Sequence, residues 1–362
     1  MAGGGVTEAA MVATELFTDL IEAASLAPSA DNMQAWAFRL RDGAIEVFLD
    51  PRRLLPTDVG GMFGWIGVGA AVENLVIAAA RRGLAATVEL SAAGGAAERA
   101  ALVRLQPDRA DDPLAGWLAE RVTDRGPYDA SPLGAALVAD LGAAVRHLEA
   151  GVHWTSARVA LARMAEMDAS STYIRLEHAP LRDELLGILR FTRGEVERTR
   201  HGLDFEALGM PRAVGLLARQ LRRRPVAGAV SLFGVGHLVA KAFALRLRSA
   251  GALCLVTARR AGAAGYIEAG RAMERIWLTA TASGLAVQPH GVLPQYLTKV
   301  EAEPETFLPH HACALQALRA PFDALFPGAR AERPAILLRI GRSLGATPRR
   351  SVRLPPEQLI RW

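Results

Sequence analysis

Two stretches of the sequence decide the fold: GWIGVGAAVENLVIAAARRGLA at residues 64–85 and GYIEAGRAMERIWLTATASGLA at residues 265–286. They align without a gap. Two unrelated alanine-rich helices that each end at a glycine would share alanines and one cap position, but would not share glycine, glutamate and aromatic positions in a single register. The alignment therefore indicates a duplicated unit whose copies pack about a pseudo-two-fold axis, as the subunits of an isologous homodimer do. The identical positions are Gly64 and Gly265, Ile66 and Ile267, Gly69 and Gly270, Ala71 and Ala272, Glu73 and Glu274, Ala79 and Ala280, Gly83 and Gly284, Leu84 and Leu285, and Ala85 and Ala286.

The segments outside the repeat predict both helices and strands. Residues 12–26 alternate apolar and polar positions at helical spacing, and Pro28 ends that helix. AFRLRDGAIEVFLD (37–50) is typical of a β-hairpin, because Asp42-Gly43 tolerates the positive φ angles of a type I′ turn. We therefore predict an α+β protein rather than a regular βαβ alternation. The other predicted elements are helices over 68–82, 156–167, 178–200, 211–222 and 237–248, strands over 86–90, 250–258 and 335–341, and a Gly/Ala/Pro-rich, acidic connection over roughly 92–115.

The composition favours a folded protein with no nucleic-acid or membrane partner. Of the 362 residues, 51% are hydrophobic and 22% are charged, which is ordinary for a globular protein. The net charge of +5 comes without a basic–aromatic stripe, so nucleic-acid binding is not expected. The N-terminus lacks a basic segment followed by an apolar run, and the longest uncharged apolar stretch, 226–240, is shorter than the ~20 residues of a membrane span. We expect a cytoplasmic location, and Cys254 and Cys313, which lack a CxxC partner, indicate neither a disulfide nor a zinc site.

Three arginine-rich segments are candidates for binding a phosphate, because arginine forks match phosphate oxygens. RQLRRRP (219–225) is more typical of the solvated face of an amphipathic helix. For ERVTDRGPYDASP (120–132) and TPRRSVRLPPE (347–357), a phosphate site and a surface patch remain equal alternatives. The side chains concerned are Arg121, Arg125, Arg349, Arg350, Ser351 and Arg353.

Other motifs give weaker indications of function. GVGHLV (234–239) lacks the third glycine of a dinucleotide-binding loop. In PHHAC (309–313), His310, His311 and Cys313 are metal-ligand types, but adjacent histidines rarely face one ion, so we interpret them as surface or packing residues and expect no metal. The sequence contains no G-x-S-x-G elbow and no clear carboxylate pair, which favours a cofactor that performs the chemistry.

Several motifs resemble those of the nitroreductase superfamily. APSADNMQAW (27–36) resembles the APSxxNxQPW turn of that family, with Ala35 in place of proline, and GAAVENLVIAAARRGLA (69–85) resembles its GxxxxNLxLAAxxLGL helix. LAVQPHGVLP (285–294) resembles the segment that follows this helix, and RVTDRGPYD (121–129) resembles an R-x-T-x-R-x-P-[FY] stretch. With TPRRSVRLPP (347–356) and the double length, the order of motifs is most similar to the Acg-like branch, in which one chain imitates the usual homodimer.

The resemblance implies a nitroreductase-like α+β fold in which residues 1–118 and 119–362 form two related halves of an intramolecular pseudo-dimer, with a lid region at about 170–248. In such dimers FMN lies across the interface. One half supplies the phosphate contacts and a backbone amide near flavin N5, and the other supplies the Pro-Ser-x-x-Asn-x-Gln turn. Here the turn occurs only in the first half, so one intact site and one decayed site are expected. The expected FMN contacts are Pro28, Ser29, Asn32, Gln34, Arg121, Arg125, Gln288, Pro289, His290, Gly291, Arg349, Arg350 and Ser351.

The implied function is that of an FMN-dependent oxidoreductase that passes hydride from NAD(P)H through flavin N5 to an electron-poor small-molecule acceptor, such as a nitroaromatic or a quinone. The backbone at His290 and Gly291 would direct a dipole at N5, and His290 is the candidate proton donor, although a structural role is the alternative. For Ser29, Asn32 and Gln34 the alternative role is to cap a helix end and the hairpin. Two other functions remain open: an FMN-sequestering protein with little or no NAD(P)H turnover, and an FMN-dependent dehydrogenase that tailors a specific metabolite. The protein would be a monomeric pseudo-dimer or a homodimer.

Overall fold

Two four-stranded antiparallel sheets form the framework, and each is built from one part of the chain. The structure, a computed structural model, describes residues 8–91, 99–108, 111–222 and 235–361. The first sheet has the strand order β1-β2-β4-β3, with β1 at Trp36–Arg41, β2 at Ala44–Leu49, β3 at Leu84–Leu90 and β4 at Arg99–Pro107. The second has the order β5-β8-β10-β9, with β5 at Ala150–Thr155, β8 at Ala252–Ala258, β9 at Ala286–His290 and β10 at Arg333–Gly341. A short parallel pair joins β6 (Leu189–Arg190) to β7 (Leu203–Asp204).

Helices pack between and around the sheets, which confirms the predicted mixture of α and β structure. In chain order the helices of the described residues are α1 (Glu8–Ser25), α2 (Met62–Arg81), α3 (Ala135–Ala143), α4 (Arg158–Glu177), α5 (Ala179–Ile188), α6 (Arg193–Thr199), α7 (Arg212–Leu221), α8 (Val235–Arg248), α9 (Gly262–Ala282), α10 (Val292–Ala302) and α11 (Pro309–Leu325).

The two copies of the sequence repeat are α2 and α9, and they pack against each other at their glycines. A Cβ atom on Gly69 would overlap the carbonyl oxygen of Ile267, and a Cβ atom on Gly270 would overlap that of Ile66. These glycines occupy equivalent positions in the repeat. The small residues therefore allow the helix backbones to touch, and the two contacts are reciprocal.

The predicted hairpin is confirmed. β1 and β2 pair in register from Trp36 opposite Leu49 to Arg41 opposite Ala44. The two turn residues, Asp42 and Gly43, have φ angles of 51° and 73°, as the type I′ turn requires.

Three sequence-based predictions need correction. The expected connection over 92–115 contains β4, which pairs with both β2 and β3 and so lies inside the first sheet. The expected helix over 178–200 divides into α5 and α6, because Thr192 caps α6 with a capping box to Glu195. Helix α2 begins at Met62 rather than 68, because the Asp58 carboxylate accepts hydrogen bonds from the Phe63 and Gly64 amides, both at 3.0 Å.

The last part of the chain returns to the first sheet. Ile360 forms a parallel bridge with Phe38 of β1, and the Phe38 amide donates to the Leu359 carbonyl at 2.8 Å. This return carries residues 349–354 past the end of α1 and the turn that follows it, as the hydrogen bonds of Arg353 and Leu354 show.

Among the described residues, one helical segment, Val59–Arg81, is long and apolar enough to cross a membrane, and an 18-residue window within it has a mean hydropathy of 1.6. Within the protein, 89% of that window is buried. The segment therefore has the packing of a core helix.

Candidate functional site

A cavity of about 390 Å³ lies where the turn after α1, the start of α2, the 121–125 segment, the end of β9 and the returning 349–353 segment meet. All the expected cofactor contacts except Gln34 line it. Pockets of several hundred Å³ are typical of small-molecule and cofactor sites. The predicted residues on its wall are Pro28, Ser29, Asn32, Arg121, Arg125, Gln288, Pro289, His290, Gly291, Arg349, Arg350 and Ser351.

The turn after α1 has an unusual backbone. Asp31, Asn32 and Gln34 have φ angles of 50°, 57° and 53°, a left-handed conformation that is uncommon outside glycine. Such residues persist only where their surroundings hold them in place, and they cluster at functional sites. Here the Ser29 hydroxyl accepts a hydrogen bond from the Gln34 amide at 2.9 Å, which closes the turn.

Asn32 joins this turn to the returning segment. Its Nδ2 donates to the Val352 carbonyl at 3.0 Å, and its Oδ1 accepts from Arg353 Nη1 at 2.7 Å. Both ends of the amide are therefore engaged by the protein. Asn32 is a fixed part of the cavity wall.

Gln34 is not brought to the cavity. Its side chain is fully buried, and its Nε2 donates to the Arg200 carbonyl at 2.9 Å while its Oε1 accepts from the Leu354 amide at 2.8 Å. It therefore connects the turn to two distant segments, in addition to any capping of the hairpin.

Arg349, Arg350 and Ser351 are exposed on the cavity wall. Among the described residues no carboxylate forms an ion pair with either arginine. The Arg350 charge contributes to lowering the pKa of the buried Arg121 and Arg353 guanidiniums, behind the larger effect of burial. This part of the wall therefore carries uncompensated positive charge and suits an anion.

Arg121 is held differently, inside the protein. Its Nη2 donates to the Leu26 carbonyl at 2.7 Å, its Nε lies 3.1 Å from Glu274 Oε1 without hydrogen-bond alignment, and its guanidinium lies 4.5 Å from the Trp277 ring centre. Burial lowers the pKa of Arg121 and raises the pKa of Glu274 to about 7. The charge of Arg121 is thus balanced by Glu274 of the repeat. Arg349 and Arg350, which have no carboxylate partner among the described residues, carry the charge that is open to a ligand.

Arg353, a candidate phosphate-binding side chain that was not among the expected FMN contacts, also lines the cavity. Its Nε donates to the Ser25 carbonyl at 2.9 Å and its Nη2 to the Ala27 carbonyl at 3.0 Å, which satisfies acceptors left free where α1 ends. Burial lowers its pKa to about 9. Arg125, whose Nη1 lies 3.4 Å from the Ala207 carbonyl, has its pKa lowered by burial to about 10.

The QPHG sequence lies at the end of β9 and the start of α10. Gln288 Oε1 accepts a hydrogen bond from Arg339 Nη1 at 2.8 Å. His290 is 9% exposed, its Nδ1 lies 3.5 Å from Asp168 Oδ1, and its Nε2 has no hydrogen-bond partner among the described residues. At Gly291 a Cβ atom would lie 2.6 Å from Phe63 Cζ, so any other residue would require the Phe63 ring to move. A buried imidazole with one free nitrogen therefore lines the cavity beside a position without a side chain.

Helix α4 supplies site residues that no sequence motif indicated. Asp168 lines the cavity beside His290. Arg175 also lines it and pairs with Asp31 of the turn at 3.2 Å. These contacts depend on how α4 packs, and helical periodicity alone gives no signal for them.

The region 170–248, expected as a lid, also lines the cavity. We call the described lining residues between 185 and 243 the apolar wall, because every one of them is apolar. They come from α5, the segment after it, α7 and α8, and several of them pack together as a small hydrophobic cluster. The apolar wall comprises Leu185, Leu186, Leu189, Leu203, Phe205, Ala207, Leu208, Met210, Val214, Leu217, Ala218, Leu221, Gly236, Val239 and Phe243.

The PHHAC sequence lies at the start of α11. His311 is buried and its Nε2 lies 3.2 Å from Glu177 Oε2, while His310 and Cys313 are exposed. Ligand-type atoms of Glu177, His310 and His311 lie within 4.8 Å of one another. The hydrogen bond from His311 to Glu177 supports the packing role predicted for that histidine.

Comparison with known proteins gives partial matches, and no family model matches the chain. The chain is 24% identical over 326 residues to the uncharacterised protein MT1398 of Mycobacterium tuberculosis, which covers 88% of this chain and 44% of that protein. Over 80 residues it is 35% identical to the putative NAD(P)H nitroreductase Acg of Mycobacterium tuberculosis, which covers 22% of this chain and 24% of Acg. The chain thus spans less than half the length of these relatives. It resembles nitroreductases. The match to Acg over 80 residues confirms that predicted resemblance.

Two solved structures are also similar. One is the FMN-dependent nitroreductase NfnB from Mycobacterium smegmatis in complex with NADPH, with a TM-score of 0.39, 16% identity, and coverage of 67% of this chain and 94% of that one. The other is a nitroreductase with bound FMN from Desulfitobacterium hafniense, with a TM-score of 0.38, 14% identity, and coverage of 69% and 98%. Both TM-scores are below 0.5, so the resemblance of this chain to nitroreductases rests on the 80 residues that match Acg.

Proposed function

We propose that this protein is an FMN-dependent oxidoreductase of the nitroreductase type, which uses NAD(P)H to reduce an electron-poor small molecule. The observation that carries the proposal is that one cavity is lined by the turn at 28–32, the arginines at 349–350 and the QPHG sequence, although these lie far apart in the chain. Bound FMN would supply hydride transfer through its N5 atom. The chain would supply binding, orientation and charge.

The charged part of the cavity fits a phosphate. Arg349 and Arg350 have no carboxylate partner among the described residues, and the Ser351 hydroxyl stands beside them on the wall. Guanidinium forks bind phosphate oxygens bidentately, and a hydroxyl can donate to a remaining acceptor. Arg121 is paired with Glu274 behind the wall, so the open positive charge comes from Arg349 and Arg350.

The QPHG part of the cavity fits a flat ring system. Gly291 leaves space where any side chain would meet Phe63, and the free Nε2 of His290 is a hydrogen-bonding atom on the wall. Through Nε2, His290 would hold or move a proton at the acceptor, while Asp168 near Nδ1 would orient the ring. We assign His290 as the proton donor on this basis.

We further infer that residues 1–118 and 119–362 form an intramolecular pseudo-dimer with one working site. Reciprocal contacts at Gly69 and Gly270 support the two-fold relation. Glu73 and Glu274 occupy equivalent positions of the repeat. Glu73 forms ion pairs with Arg271 at 2.9 Å and with Arg275 at 2.6 Å, and not with the arginines of the cavity. The two equivalent glutamates of the repeat therefore have different partners, Arg121 for Glu274 and the arginines of α9 for Glu73.

One observation favours a second candidate function, sequestration of FMN with little NAD(P)H turnover. The apolar wall belongs to the 170–248 region and covers part of the same cavity. If this region acts as a lid, a nicotinamide would be excluded from the flavin. The third candidate, an FMN-dependent dehydrogenase that tailors a metabolite, would instead require a cavity that is open to that metabolite.

A visible spectrum and an anaerobic titration test these functions. We expect purified protein, loaded with FMN, to be yellow and to bleach within seconds on addition of NADH or NADPH. A yellow protein that neither nucleotide bleaches would instead support sequestration. A colourless protein that cannot take up FMN would overturn both.

The phosphate assignment has its own test. We expect the R349A/R350A variant to bind FMN at least tenfold more weakly but to bind riboflavin, which lacks the phosphate, as the wild type does. The matched control, R163A/R330A, removes two exposed arginines that do not line the cavity. Equal FMN affinity in both variants would show that the phosphate lies elsewhere.

A further inference from the structure

The apolar wall has a uniform chemistry that neither the flavin nor the nicotinamide requires. Its members are hydrocarbon side chains, a methionine and a glycine, with no charged or hydroxyl-bearing side chain among them. Leu217 and Val239 are only partly buried, and both line the cavity, although they belong to different helices. An apolar ligand that covers such a surface removes it from water, which favours binding.

Two charged residues of α5, Arg182 and Glu184, line the cavity just before the apolar wall in sequence, and each makes hydrogen bonds within the protein, although Arg182 Nε has no partner among the described residues. Arg182 Nη1 lies 3.3 Å from the Glu177 carbonyl. The Glu184 carboxylate accepts hydrogen bonds from the Thr57 amide at 2.8 Å and the Thr57 hydroxyl at 2.7 Å. The side chains of the apolar wall themselves offer no polar partner to an anionic or sugar-like ligand.

We propose that the apolar wall binds the hydrocarbon chain of the acceptor, and that the acceptor is an uncharged quinone with an alkyl or isoprenyl substituent. The redox step of this inference rests on the proposed function. The binding of the hydrocarbon chain rests on the apolar wall alone. The reaction balances with the proposed donor: NAD(P)H supplies a hydride and is oxidised to NAD(P)+, and one proton, taken from the solvent and passed on by His290, completes the reduction of the quinone to the hydroquinone. The wall would hold the chain while the quinone head lies at the QPHG part of the cavity.

Binding should depend on chain length. Burial of one methylene group is worth roughly a fourfold gain in affinity. A neutral environment-sensitive dye such as Nile red, displaced by straight-chain alcohols of four to ten carbons, measures this without flavin or turnover. We expect affinity to rise with each added carbon by up to about fourfold, and a flat series would overturn the inference.

Two adjacent leucines on α7 provide a matched pair of variants. Leu217 lines the cavity, whereas Leu216 is 65% exposed and does not. We expect L217D to weaken binding of decanol at least tenfold, because the chain would lie against a carboxylate, and L216D to leave it unchanged. Equal effects of the two substitutions would contradict the inference.

A second variant guards against misfolding of L217D. A Cβ atom at Gly236 would meet Tyr173 at 3.7 Å, an ordinary contact, and the position lies in α8 and lines the cavity. G236L, whose folding is checked by circular dichroism and thermal unfolding, should weaken binding of the longest alcohols selectively by occupying their space. Unchanged binding of every alcohol in G236L would count against the wall.

Turnover then separates this inference from the proposed function. With FMN-loaded protein and NADPH, we expect KM for fully substituted benzoquinones to fall as their chain grows from one to ten carbons, with kcat nearly constant. Full substitution prevents addition of the exposed Cys313 thiol to the ring. Dye displacement without NAD(P)H oxidation would overturn the proposed function and leave the wall intact. Turnover that ignores chain length would overturn the wall's role and keep the proposed function.

Discussion

Gly69 and Gly270 lie in equivalent positions of two related helices, and each touches the backbone of the other helix. Because a Cβ atom on either would overlap a carbonyl oxygen, the backbones themselves would have to move apart. We expect G270A to lower the free energy of unfolding by about 1–3 kcal/mol or more, measured by urea denaturation.

The control for this prediction is also a glycine within a helix. Gly187 in α5 has open space around its Cβ position, so G187A should be neutral or stabilise by about 0.5–1 kcal/mol. If G270A were as mild as G187A, the helices would not be in backbone contact.

Gln34 provides a test between a structural role and direct flavin contact. Its amide holds the Arg200 carbonyl and the Leu354 amide, so Q34L should leave buried polar groups unpaired and destabilise the protein by about 1–3 kcal/mol. Unfolding in urea and FMN affinity should be measured on the same preparation. A loss of FMN affinity with unchanged stability would show that Gln34 reaches the cofactor after all.

Gly291 and Phe63 should behave as a coupled pair. In G291A the new methyl group would press on the Phe63 ring, from which it would lie 2.6 Å, and we expect FMN binding to weaken at least tenfold. F63L removes the ring, so the double variant G291A/F63L should recover most of that affinity. Independent, additive effects of the two changes would exclude this contact.

Asp58 makes stability depend on pH. Burial raises its pKa from 3.8 to about 6, although its carboxylate accepts two hydrogen bonds at the start of α2. Because the folded protein holds this proton more tightly than the unfolded chain, the stabilisation is present below about pH 4 and is lost as the pH rises to about 6.

The measurement compares wild type with D58N, whose amide oxygen can still accept a hydrogen bond. Between pH 4 and pH 7 the wild type should lose on the order of 2–3 kcal/mol more than D58N in its free energy of unfolding. Parallel pH profiles of the two proteins would show that Asp58 titrates normally.

The sequence predicted the parts of this fold that depend on local pattern. The repeat identified α2 and α9 because small residues at fixed spacing leave a visible signal, and Asp42-Gly43 predicted the hairpin because few residues adopt its φ angles. Strand β4 was missed because its alanines and arginines resemble the connection around it. Its place inside the sheet is decided by partners on both sides.

The candidate site was predictable in its motif residues and not in their neighbours. The cavity gathers segments that the motifs named, whereas the roles of Gln34 and Arg353 as ties between segments depend on backbone atoms that carry no sequence signal. The same holds for Asp168, which meets His290 because α4 packs against α10, the helix that follows β9. Long-range packing decides all three.

Arg353 holds the carbonyl of Ser25, which is 328 residues earlier in the chain. During synthesis the cavity therefore cannot close until residue 353 has left the ribosome, and until then the turn at residues 31–34 lacks its hydrogen-bond partner in the 352–354 segment. A ligand that needs both segments would bind only after residue 353 has emerged.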